Sequence, residues 1–147
     1  MALVLAGGLV VGCYGNSTPG PTPGSMDNVI ANIVLQDVTV LRLTSGDAGC
    51  PTSSLHDNAA HLTLVIGDQS ASHEVYLLRW KNQREFDDAT ADFAACLAEY
   101  RAVNPASTVT EITSPPWRAY GPSLNSPIGP IIFNALRAAG GGLSPSP

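Results

Sequence analysis

The fold class predicted by the sequence is α+β: a single small domain with a mixed, mostly antiparallel sheet of about four strands and helices packed on it. Three observations predict it. Apolar residues recur at helical three-four spacing in three separate stretches, strand-type alternation marks four others, and the connections between the first three strand segments are too short for crossover helices. The resulting order along residues 26–140 is αβββαβα.

The first helix starts at Ser25 or Asp27, either of which can accept a hydrogen bond from the exposed amides of a first turn. Its apolar positions are Val29, Ile30, Ile33 and Val34, and it ends near Gln36 or Asp37. Val38, Val40 and Arg42 then alternate with Thr39, Leu41 and Leu43, a strand closed by the turn signal Ser45-Gly46-Asp47. Residues 46–60 read as a loop. His61 to Ile66 forms the second strand, halted at Gly67-Asp68, and Glu74 to Trp80 the third.

Asn82, followed three residues later by Glu85, makes a capping-box-like start for a long helix. Phe86, Ala89, Phe93, Cys96, Leu97 and Tyr100 share one face of it, which turns Cys96 toward the sheet. The helix stops before Asn104-Pro105. Ser107 to Thr113 alternates as a fourth strand, reached across the helix, so a parallel right-handed crossover from the third strand is expected. Ser114 to Pro122 reads as irregular chain. Ser126 caps a last helix with Pro127 at its first position, with Ile128, Ile132, Leu136 and Ala139 as its apolar face and Gly140 as its stop. Residues 141–147 form a disordered tail.

A length of 147 residues suits one domain plus short extras. Apolar residues at 44% and charged ones at 13% are enough for a core. Seven Lys and Arg against twelve Asp and Glu give a net charge of -5, which removes the basic footprint that nucleic-acid binding needs.

Residues 1–12, MALVLAGGLVVG, are uncharged and apolar. They fall short of the ~20 residues that span a bilayer but match the apolar region of an export signal. Val10-Val11-Gly12-Cys13 resembles the lipobox of bacterial lipoprotein precursors. The resemblance covers the N-terminus alone and names no family for the rest of the chain. It implies cleavage before Cys13, a diacylglyceryl thioether on that sulfur, and a domain held outside the cytoplasm at a membrane. Residues 14–25, with three Gly, three Pro, two Ser and two Thr, solvate their own backbone and read with Cys13 as a tether over 13–25.

Three cysteines are an odd count for an exported chain until Cys13 is assigned to lipid, which leaves Cys50 and Cys96 as a pair to be bridged in an oxidising compartment.

No constellation in the sequence specifies a reaction. His56, Asp57, His61 and His73 with Cys50 contain metal-ligand and nucleophile chemistry, but their spacing matches no zinc register and no nucleophile elbow, so neither a metal nor a catalytic residue is assigned. Glu74, Glu85, Glu99 and Glu111 fall on expected solvent faces, and Gly140-Gly141-Gly142 follows a helix instead of opening one. The best ligand-binding candidate is the stretch with Trp117, Arg118 and Tyr120, because exposed aromatics beside a guanidinium stack on flat ligands and sugars. The expected function is a membrane-anchored binding or assembly module with an envelope protein or glycan as partner and no cofactor. The alternative is an envelope hydrolase or metal-dependent enzyme that uses the loop bearing His56 and His61.

Overall fold

The computed structural model describes residues 24–51, 54–122, 124–125 and 127–140. The expected export signal, lipobox cysteine, nearly all of the expected tether, the expected Ser126 cap and the expected tail lie outside the described residues.

Helix α1 (Met26–Val34) opens at Ser25, whose hydroxyl accepts from the Asn28 amide at 3.1 Å. Strand β1 (Val38–Ser45) follows, then a 3-10 turn (His56–Asn58), β2 (Ala59–Ile66) and β3 (Ser72–Arg79). Helix α2 (Gln83–Asp88) and helix α3 (Thr90–Val103) lead to β4 (Val109–Ser114), β5 (Trp117–Pro122) and α4 (Ile128–Ala138). The α+β class holds, and β1, β2 and β3 form the expected antiparallel meander. Asn82 caps α2, accepting from the Glu85 amide at 2.9 Å, while the Glu85 carboxylate accepts from the Lys81 amide at 3.2 Å.

Four details differ. The long helix is two helices, broken at Ala89 (φ -80°, ψ 1°). Helix α4 starts one residue after Pro127, which occupies the cap position. The alternation of β1 slips between Val40 and Arg42, so Arg42 turns to solvent.

The fourth difference sets the topology: residues 117–122 are a fifth strand, and the sheet order is β1-β2-β3-β5-β4 with every neighbouring pair antiparallel. Strand β4 therefore has no ladder to β3, which corrects the expected parallel crossover. Pro115 and Pro116 turn the chain between Ser114 and Trp117, and β5 slides back between β3 and β4. A two-residue turn after a strand needs no crossover, and it lets the apolar run behind it take an inner position in the sheet.

Both faces of the sheet are covered, so β3 and β5 are central strands buried on two sides. On one face Leu62, Leu64, Val75, Leu77, Trp117 and Ala119 pack against Val29 and Ile33 of α1 and Ile128, Ile132 and Leu136 of α4. On the other, Tyr76, Leu78 and Tyr120 pack against Phe86, Phe93, Cys96, Leu97 and Tyr100 of α2 and α3, with Ala48, Cys50 and Leu55 of the long loop. Burying each of the larger apolar side chains contributes about 1.5–3 kcal/mol.

Candidate functional site

Residues Trp117, Arg118 and Tyr120 do not lie on an exposed irregular connection. They stand on β5, an inner strand of the sheet between β3 and the edge strand β4, with Trp117 and Tyr120 0% and Arg118 9% exposed. Strand alternation sends Trp117 to the α1–α4 face and sends Arg118 and Tyr120 to the opposite one. The Arg118 guanidinium carbon lies 4.4 Å from the centre of the Phe86 ring and 4.7 Å from that of Phe93. Its Nη2 donates to the Thr90 hydroxyl at 3.0 Å and Nη1 stands 3.7 Å from Glu111. A cation held by two aromatic faces and a partly exposed carboxylate ties β5 to the helices. Glu111 stays exposed, as expected, while one of its oxygens stands near this cation.

Burial under the long loop shapes the next cluster. The rings of Tyr76 and Tyr120 stack with centroids 4.9 Å apart, and the Tyr100 ring meets both edge-on at 5.4 and 5.3 Å. Burial raises all three phenols above their ordinary value; neighbouring Tyr100, Asp47 and Glu74 push Tyr76 further, and Glu74 does so for Tyr100. Next to burial, Tyr76, Tyr100 and Asp47 act on Tyr120, whose hydroxyl donates to the Ala48 carbonyl. Gly49, in left-handed backbone at φ +72°, lets the loop lie flat on these rings, because a Cβ there would fall 2.5 Å from the Tyr120 hydroxyl.

His61 borders the tyrosines, its ring stacked on Tyr76 at 4.3 Å. Nδ1 faces Asp47 Oδ2 at 3.0 Å and Nε2 faces Glu74 Oε2 at 2.5 Å, while the Thr63 hydroxyl donates to the same Glu74 oxygen at 3.1 Å. The carboxylates approach opposite edges of the imidazole, so their oxygens do not converge on a point. His61 thereby pins the loop to β2 and β3, and Glu74, expected in solvent, is partly exposed beside it.

The remaining nucleophile and ligand candidates are dispersed. Cys50 Sγ stands at disulfide distance from Cys96 Sγ, 1.93 Å, with both residues buried, so its thiol is not free for metal or nucleophilic chemistry. His56 Nε2 donates to the Cys50 carbonyl at 2.9 Å, and His73 lies on β3 opposite Leu64. Among the described residues, no three His, Cys, Asp or Glu side chains are grouped so as to hold a metal ion.

The structure also opens a cleft of about 500 Å³ at the end of the sheet. The ends of β1 and β3, the 3-10 turn and the start of β2 form it, with Ser45, Asp57, Asn58, Ala60 and Arg79 among its walls. Its assembly is not legible in the sequence, although His56 and Asp57, two of the residues singled out there as ligand or nucleophile candidates, both line it. One signal was present: Arg79 is the charged residue inside the otherwise apolar run Val75–Trp80, and a cation at the end of a buried strand requires either a partner or an opening. Comparison with protein-family models, with curated proteins and with solved structures finds no match to this chain.

Proposed function

We propose that this chain is an exported lipoprotein, anchored to a membrane through lipid on Cys13, whose α+β domain works outside the cytoplasm as a binding module with the cleft at the end of β1, β2 and β3 as its site. The observation that carries the reading is the pairing of Cys50 with Cys96 at disulfide distance in the interior. A buried bridge suits an oxidising compartment, and it leaves Cys13, behind Val10-Val11-Gly12, as the unpaired sulfur. Among the described residues no helix is long and apolar enough to cross a membrane, and two or more acyl chains are a sufficient anchor for such a domain.

The test is the mass of the mature N-terminal peptide from cells fed labelled palmitate. The expected product begins at Cys13 and carries label, and Cys13→Ala abolishes both. An unlabelled product that retains residues 1–12 refutes the proposal.

A further inference from the structure

We infer that the cleft binds a small, singly charged organic carboxylate, and that Arg79 is the residue that holds it. This rests on reading the domain as a binding module. Arg79 lines the cleft from the end of β3, and among the described residues no carboxylate pairs with it. Its Nε–H is buried with no acceptor. The guanidinium carbon lies over Trp117, 5.6 Å from the centre of its ring, and a cation–π contact of that kind uses no N–H, so the fork of donors is left for an oxyanion. An arginine with an unsatisfied buried donor has little to lose by turning that fork toward a ligand.

The rest of the lining selects among anions. Asp57 is exposed on the same cleft, and the chain carries a net charge of -5, so a multiply charged anion is repelled where a single carboxylate is tolerated. Met26, Ala59 and Ala60 offer apolar wall for a short aliphatic tail, and Ser45 and Asn58 offer hydrogen-bonding groups beside it.

The experiment is an amide NMR titration of the purified full chain with acetate, butyrate and inorganic phosphate, with sodium chloride matching the ionic strength. Butyrate is expected to shift the Gly46, Asn58 and Ala60 amides saturably and more tightly than acetate. Arg79→Gln is expected to weaken butyrate at least tenfold, with Arg79→Lys intermediate because a point charge replaces the fork. Since Arg79 also packs on Trp117, Asp57→Asn supplies a variant at an exposed position, expected to bind butyrate several-fold more tightly. Unmoved amides, phosphate binding more tightly than either carboxylate, or unchanged affinity in Asp57→Asn or in folded Arg79→Gln each overturn the assignment. Lipid on Cys13 is read by a separate measurement, so failure of the anchor and failure of the site are distinguishable.

Discussion

Replacing Gly49 with alanine probes the contact on which the long loop depends, and replacing Gly46 with alanine supplies its control. Both glycines have left-handed backbone, φ +72° and φ +77°. Each substitution therefore carries the same backbone penalty, about 1–2 kcal/mol, and the same relief of roughly 0.4–1 kcal/mol from a less flexible unfolded chain. They differ in what the new methyl group meets. At Gly46 the nearest atom is the His56 carbonyl oxygen at 3.9 Å, an ordinary separation. At Gly49 the methyl would lie 2.5 Å from the Tyr120 hydroxyl and 2.8 and 2.9 Å from two carbons of the Tyr76 ring.

Neither ring can yield without cost, because Tyr120 is tethered to the Ala48 carbonyl and stacked on Tyr76, which is stacked in turn on His61. Overpacking of this kind costs about 1–3 kcal/mol. Subtracting one variant from the other removes the shared backbone terms, so Gly49→Ala should be less stable than Gly46→Ala by that same ~1–3 kcal/mol. Against a total of about 5–15 kcal/mol for an ordinary domain, the difference is easily read from urea midpoints at constant slope. Equal midpoints for the two variants would refute the claim that the loop is seated on the tyrosines.

Alkaline titration tests the same cluster. The raised folded-state values of Tyr76, Tyr100 and Tyr120 mean that the unfolded chain gives up these protons first. Their stabilising effect is therefore complete below the ordinary tyrosine value near ~10 and is lost as pH climbs above it toward the folded values. Tyrosinate absorbance from these three rings should appear together with loss of the fold, whereas reversible ionisation of more than one of the chain's four tyrosines near ~10 in the folded protein would contradict their burial. For Arg118, truncation to Ala should cost several times more than replacement with Met. Met refills the space between Phe86 and Phe93 and can make sulfur–aromatic contacts, and Arg118 Nε is already without a partner. Thermal melts of the two variants decide it, and equal losses would show that the charge, not the packing, holds β5 to the helices.

The sequence by itself determined the elements whose cause is local. Ser25 and Asn82 announce two helix starts through side chains that reach amides three residues on, and the observed caps use those same contacts. The face of Phe86, Phe93, Cys96, Leu97 and Tyr100 could be read because helical periodicity repeats often enough to stand out, and it aimed Cys96 at the sheet where Cys50 waits. Of the site, the sequence showed the residues without their company. His61, Glu74 and Asp47 were all visible, but they are 13 and 14 residues apart in chain and meet only because β2 pairs with β3 and the loop folds over both.

What only the tertiary structure decided is the place of β5. Trp117-Arg118-Ala119-Tyr120 has no polar alternation, since a central strand covered on both faces has no solvent side to mark it, and the neighbouring prolines make the same stretch resemble a loop. Whether Trp117 and Tyr120 face a ligand or the interior depended on which strands flank them, and that choice is made by non-local pairing with β3 and β4. The cleft at Arg79 is likewise a product of assembly, built where the ends of β1 and β3 meet the turn that leads into β2.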